Sequence, residues 1–344
     1  MQISGELLKD KIIVKKPKDA GRLYNKSHFG KIVSGNKLEL DLLEGVFLVG
    51  EKKIVIFKNK KKIDFEKLTK ITAKKIPDFE VKYHTLKDLR NRGHAIKIYE
   101  KDEKFNFYNF NQTFFVSTHS ERDFLMIDEA VDLIKKAEKN KKELWLGILD
   151  EEGDLTYYSM SLMDLKGNNK EHIFEKTKGF LLKNRIVIFD KNASNNLHKK
   201  EFYGKPFGEG LQLSIVESMY LQDKKIIDIF TVDDKSVSKQ NLLNIFKKQQ
   251  PDIKLRFSVF KDLKKRGLLV KTGFKFGAHF RAYTKKPEDT HAEYLIHVVS
   301  KGFKSTWAEI SRAVRLAHSV NKEIAFARVD KNKIDYIKFG RLRP

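Results

Sequence analysis

The chain is one unit written twice, and this duplication limits its fold more than any other feature. "GELLKDKIIV", residues 5–14, returns as "GFLLKNRIVI", 179–188, and "YHTLKDLRNRGHAIK", 83–97, returns as "FSVFKDLKKRGLLVK", 257–271, both at an offset of 174. Between them "LDLLEGVFLVGEKKI", 40–54, aligns with "SIVESMYLQDKKI", 214–226, and "LYNKSHFG" aligns with "FYGKPFG". Near the end of each copy "KKELWLGILDEEGDLTYYSM", 141–160, answers "NKEIAFARVDKNKIDYIKF", 321–339. The boundary falls near the polar stretch "LKGNNKEH", 165–172, which divides the 344 residues into copies 1–172 and 173–344. Each copy is long enough to bury a core of its own.

Within a copy the patterning is mixed α/β. Runs such as Ile186–Phe189 read as strands, while "VFKDLKKRG" places Val259, Phe260 and Leu263 on one helical face before Gly267 as a stop signal. The strand-like segments "LLVKTGF", "HFRAY" and "EYLIHVV" follow. Then comes a helix over "STWAEISRAVRLAHSV", capped by Ser305 or Thr306, with Trp307, Ile310, Val314 and Ala317 buried. Two last strands, "KEIAFARVD" and "IDYIKF", meet at the turn "DKNK". Each copy thus reads as an N-terminal α/β piece, about 1–80 and 173–254, joined to a C-terminal α/β piece, about 81–165 and 255–344.

The chain has no cysteine, which removes thiolate nucleophiles, disulfides, zinc ribbons and iron–sulfur centres at once. Any catalysis rests on oxygen and nitrogen groups. The formal charge is +24, which calls for a polyanionic partner, since phosphate contacts release counterions. Residues 1–172 carry 34 basic and 28 acidic side chains, against 36 and 18 in residues 173–344, so the polyanion is expected mainly on the second copy. No apolar run is long enough to span a bilayer, and the reading is a soluble, cytoplasmic protein that does not engage membranes.

Two site chemistries compete for the histidine-rich stretch "FGAHFRAYTKKPEDTHAEYLIH", 276–297. In the first, His291, Glu293 and His297 share one face of a regular strand and hold a metal ion, although the stretch lacks HExxH and the chain lacks the cysteines of a deaminase site. The second is metal-free phosphodiester cleavage, in which an RNA ribose supplies the 2′-OH nucleophile. That reaction needs a base, an acid and a cation beside the crowded phosphorane, roles open to Tyr283, His291 and Lys322. Aligning the copies sets Tyr108 beside Tyr283, Lys142 beside Lys322 and Asn111 opposite His291. An asparagine has no proton to give near neutrality, so the first copy is expected to be inactive.

The linked motifs "FKDLKKRGLLVKTGFKFGAHFRAY", "THAEYLIHV" and "SRAVRLAHSVNKEIAFARVD" strongly resemble the catalytic domain of archaeal tRNA-splicing endonucleases of the two-repeat, homodimeric type. The resemblance is dense over 255–344, looser over 173–254, and degenerate over 1–165. It implies a tandem duplication of an α/β N-terminal subdomain and a restriction-endonuclease-like C-terminal subdomain with a central mixed sheet. It also implies an enzyme without cofactor or metal that cuts precursor tRNA, and other RNAs with a bulge-helix-bulge, leaving a 2′,3′-cyclic phosphate and a 5′-OH. By that resemblance Tyr283 is the general base, or alternatively positions the 2′-OH, since a phenol of pKa near 10 is a poor base at neutral pH. His291 is then the general acid and Lys322 the cation. The eight-residue interval from Tyr283 to His291 is shorter than the family's, which makes "TKKPEDT" a trimmed loop. The family clamps a bulge base between arginines of the partner subunit, for which Arg315 and either Arg341 or Arg343 are candidates. An acidic loop of the inactive copy docks on the partner's basic pocket, and "STHSERD", 117–123, offers Glu121 and Asp123 for this.

His279, His297 and His318 are read as structural or surface residues, and Phe274 and Phe276 as core aromatics or stacking platforms for RNA. Two other functions remain: a metal-dependent nuclease on a similar fold, and a catalytically inactive RNA-binding protein. Against the former, residues 255–344 hold only eight Asp and Glu, with no D…ExK-like arrangement.

Overall fold

A computed structural model describes residues 2–99, 104–111, 113–183, 185–288 and 290–344. Asp289, in the loop that contains "TKKPEDT", lies outside them. The mixed α/β reading holds, with ten helices among the described residues.

Each copy begins with its own small sheet. In the first, Ile3–Leu8 runs parallel to Ile54–Lys58 and antiparallel to Lys11–Val14. In the second, Thr177–Leu182 runs parallel to Ile227–Thr231 and antiparallel to Arg185–Ile188. The crossover helices Leu42–Gly50 and Ile215–Asp223 start at capping boxes, Asp41 with Glu44 and Ser214 with Glu217. Both glutamates are buried and also accept a backbone N–H, from Gly30 and Gly204 respectively. Gly30 and Gly204 both stand at φ +60, so Gly204 is the counterpart of Gly30. The structure therefore corrects the match of "LYNKSHFG" to "FYGKPFG": "HFG", 28–30, corresponds to "FYG", 202–204, at the offset of 174 found elsewhere.

The C-terminal pieces do not stand apart. Their strands form one ten-stranded sheet, in which the five strands of the second copy are followed by the five of the first in mirrored order. The seam is the antiparallel ladder of Leu155–Leu162 on Lys333–Leu342, running from Tyr157 opposite Leu342 to Leu162 opposite Ile337. A second link pairs Phe124–Met126 with Lys304–Thr306. This fusion leaves neither seam strand as an exposed edge. The helices Ile127–Lys139 and Trp307–Ser319 cover one face of the sheet in a shared core, and Phe79–Asn91 and Ile253–Lys265 cover the other face.

The helix Trp307–Ser319 follows the sequence pattern: Thr306 caps it in a box with Glu309, and Trp307, Ile310, Val314 and Ala317 are buried. Gly267, at φ +77, ends the helix over Ile253–Lys265. The copies also keep one polar device. Tyr157 donates to Asp88, itself paired with Arg92, and Tyr336 donates to Asp262, itself paired with Arg266. Burial, and then the neighbouring carboxylate, push both phenols far above their ordinary range.

Candidate active site

Three strand ends meet at one place in the second copy. The strand Phe280–Tyr283 ends with Tyr283, opposite Leu269. Its neighbour Tyr294–Ser300 begins three residues after His291, and the next strand, Glu323–Asp330, begins one residue after Lys322. The register Ala282 opposite Tyr294 and Tyr294 opposite Glu323 sets these ends side by side.

Ala292 is the hub. The Tyr283 side chain is only 6% exposed and packs with Phe202, Leu269 and Ala292. The Lys322 ammonium donates to the Ala292 carbonyl at 2.9 Å and lies 5.5 Å from the centre of the Phe276 ring. His291 is exposed, and its imidazole has no hydrogen-bond partner among the described residues. The Glu293 carboxylate accepts from the backbone N–H and the hydroxyl of Thr284, which clamps the two ends of the loop between Tyr283 and His291. The Arg281 guanidinium lies 5.8 Å from the Tyr283 ring centre. An exposed imidazole thus lies beside a buried phenol and a tethered ammonium.

The metal-site expectation fails on geometry. The regular strand starts only at Tyr294, so His291 and Glu293 do not continue the alternation to His297. Glu293 is committed to Thr284, and His297 stacks on Phe326 with ring centres 5.2 Å apart. No group of three or more metal-ligating side chains occurs among the described residues.

The copies differ more than their alignment suggests. In the second copy Val270 stands opposite Ala282 and Leu269 opposite Tyr283. In the first, Ile96 stands opposite Asn109, and the Phe110 N–H donates to Ala95. Ile96 lies 174 before Val270 in the run that carries the repeat, so the counterpart of Tyr283 is Phe110, not Tyr108, which corresponds to Arg281. Packing agrees: Tyr283 lies in one cluster with Phe202, and Phe110 stacks at 3.8 Å on His28, the counterpart of Phe202. The first copy therefore lacks both the phenol and the imidazole, and retains only Lys142. The signal was present in the sequence, in the constant offset over 83–97, but a one-residue difference in the hairpin hid it.

Elsewhere in the stretch, His279 accepts the Val298 N–H on Nδ1. Burial, Arg256 and His297 hold its pKa down at about 4, and burial also lowers that of His297. Both serve the sheet. His318 is exposed in the last turn of the helix Trp307–Ser319, a surface residue.

Arg315 is exposed on the helix Trp307–Ser319 and borders a groove of about 640 Å³ with Asp150, Thr156 and Tyr158 of the first copy. Arg341 stands opposite Tyr158 and so shares the sheet face on which that groove lies. Arg343 is exposed beyond the strand end at Leu342. Glu121 is half-buried and Asp123 exposed, and both carboxylates are bonded to backbone: Asp123 accepts from the Ser120 N–H and Glu121 from the Glu151 N–H. The neighbouring turn adds exposed Glu151, Glu152 and Asp154, acidic residues outside the segment 117–123.

Comparison with known proteins agrees with this architecture. The family model for the tRNA intron endonuclease catalytic C-terminal domain matches residues 253–336, and that for the N-terminal domain matches twice, at 3–69 and 177–243. A tRNA-splicing endonuclease of Methanococcoides burtonii is 35% identical over 98% of this chain and 99% of its own length. One of Methanosarcina barkeri is 33% identical over the same shares. A shorter one, of Thermococcus kodakarensis, is 32% identical and matches 46% of this chain with 98% of its own, about the length of a single copy. The chain belongs to the tRNA-splicing endonuclease family, as a two-copy member in which the second copy carries the converging tyrosine, histidine and lysine.

Proposed function

We propose that the protein cleaves precursor tRNA, and other RNA with a bulge-helix-bulge, by attack of a ribose 2′-OH and without a metal ion. Tyr283 orients the 2′-OH and takes its proton as the 2′ oxygen bonds to phosphorus. Lys322 stabilises the charge on the phosphorane, and His291, as imidazolium, gives its proton to the departing 5′ oxygen. The products are a 2′,3′-cyclic phosphate and a 5′-OH. The observation that carries this reading is the meeting of Tyr283, His291 and Lys322 around Ala292, in the one copy that has all three types.

The family's assembly fits the chain as a homodimer with one active copy per chain, acting in the cytoplasm. A cleft of about 690 Å³ between the two pieces of the second copy is lined by six lysines, Lys224, Lys254, Lys261, Lys264, Lys265 and Lys331, against three carboxylates, Glu171, Glu201 and Asp262, and this basic excess suits an acidic partner. Glu121 and Asp123, with Glu152 and Asp154 beside them, are the segment offered to it. Arg315 with Arg341 or Arg343 is offered to a bulged base.

The test is cleavage in EDTA of a bulge-helix-bulge RNA and of the same RNA carrying 2′-deoxyribose at the cut positions. Only the first is expected to be cut, ending in cyclic phosphate. Cleavage of the deoxy substrate, or a requirement for metal, would overturn the mechanism.

A further inference from the structure

Phe274 is 90% exposed, whereas the next most exposed phenylalanine, Phe189, is 54% exposed. Leaving such a ring in water forgoes about 1.5–3 kcal/mol of burial, so an apolar occupant has much to gain there. The ring is not on a loose loop. It begins a one-turn 3-10 helix, Phe274–Phe276, closed by bonds from the Phe276 and Ala278 N–H groups to Gly273 and from the Gly277 N–H to Phe274. Gly273 has no room for a side chain, because a Cβ there would come 2.8 Å from the Phe280 backbone, and Gly277 stands at φ +62. Two residues on, Phe276 is the ring beneath the Lys322 ammonium. The turn is therefore a fixed part of the active-site wall.

Charge selects the occupant. From Leu263 to Pro287 the chain carries eight lysines and arginines and no Asp or Glu; Lys264, Arg266 and Lys271 are held by Glu201, Asp262 and Glu217, while Lys275 on the turn itself is exposed and the Lys322 ammonium lies over Phe276. In the first copy the corresponding hairpin reads "YEKDEKF", 99–105, with Glu100, Asp102 and Glu103. The first copy's hairpin thus sets three carboxylates beside Lys101 and Lys104 and has Glu100 in place of Phe274, whereas the second copy's carries no acidic residue. A flat apolar face among cations matches a nucleobase on a phosphate backbone, because every base offers a π-face and sequence does not matter.

We propose that Phe274 is a stacking platform for an unpaired base of the substrate RNA close to the cleaved phosphate, a role that rests on the RNA-cleaving function above. The base lies on the exposed ring while Lys275 approaches the backbone. The test uses a bulge-helix-bulge RNA with 2-aminopurine at each unpaired position in turn. Quenching of one probe on binding is expected with the wild-type protein and with Phe274→Trp, and is lost with Phe274→Ala and Phe274→Leu. Phe274→Ala is also expected to weaken RNA binding by about 5- to 100-fold. Its single-turnover rate at saturating RNA stays within a few-fold, since the ring touches no reacting atom. Unchanged binding and quenching in Phe274→Ala, with wild-type cleavage intact, would overturn the platform alone. A change in dimerisation without a change in quenching would assign the ring to a protein interface and would also overturn it. Absence of RNA cleavage by the wild-type protein would overturn the function itself.

Discussion

The Lys322 ammonium donates to the Ala292 carbonyl at 2.9 Å, which ties the start of one strand to the segment that presents His291 on the next. The cation is thereby held at the place where the phosphorane would form, rather than left to swing on four methylenes. Lys322→Ala is expected to lower the single-turnover rate by about 10²–10³. Lys142→Ala, in the copy that has Phe110 and Asn111 where the second has Tyr283 and His291, is expected to leave it within two-fold of wild type. Rapid-quench assays of the two variants check both, and equal losses would contradict an inactive first copy.

His291 is exposed and its imidazole makes no hydrogen bond among the described residues, so removing that side chain disturbs little else. His291→Ala is expected to lower the rate by about 10²–10⁴ while RNA affinity stays near wild type. Filter binding beside single-turnover cleavage separates the two quantities. A loss of affinity in place of rate would assign His291 to recognition.

Tyr283 and Phe110 occupy equivalent packing sites, and phenylalanine already fills one of them. Tyr283→Phe is therefore expected to keep Tm within about 2 °C of wild type, which corresponds to less than about 1 kcal/mol. The same variant should lose at least ten-fold in rate. Calorimetry and cleavage on one preparation test the split between stability and chemistry.

Arg328 lies among Asp128, Asp330 and Asp335, and of these Asp128 comes from the first copy. Arg328 and Asp335 are both buried, so Arg328→Met leaves the Asp335 carboxylate with only the exposed Lys333 ammonium, 3.3 Å away, as counter-ion. A loss of about 3 kcal/mol is expected in urea unfolding. Adding Asp335→Asn to Arg328→Met is expected to recover part of it, because the poorly compensated charge is then gone.

His279 gives the fold a pH dependence. Burial is the main force against its protonation, Arg256 and His297 add to it, and Asp252, 3.8 Å away, gives little help because it already pairs with Arg256. Its pKa is about 4 in the folded protein and near 6.5 when unfolded, so between those values the unfolded chain binds more protons. Its contribution is therefore present above pH 6.5 and is lost as pH falls towards 4. The loss is on the order of 2 kcal/mol after allowing for partial exposure. His279→Gln, whose amide oxygen can still accept from Val298, is expected to flatten the stability profile in that window.

Much of the second copy was legible before any coordinates. The caps and apolar spacing of Trp307–Ser319 marked a helix because its local chemistry and its burial agree. Tyr283, His291 and Lys322 were legible as residue types in an ordered set of motifs. Their meeting at Ala292 was not, because it depends on register across three strands separated by a loop and a helix. The pairing of Tyr108 with Tyr283 failed for the same reason: eye alignment rewards like residues, whereas a ladder rewards the position at which backbone groups meet.

The sequence by itself determined that this chain is a duplicated α/β protein of strong positive charge, whose second half alone carries a tyrosine, a histidine and a lysine in family order. Tertiary structure decided that the two halves share one sheet through the Leu155–Leu162 and Lys333–Leu342 seam. It also decided that Phe110 stands where Tyr283 does, and that Phe274 is left bare beside the site. The reason is physical. Residue types and local periodicity are properties of the chain, whereas register, burial and exposure arise only when distant segments compete for the same neighbours.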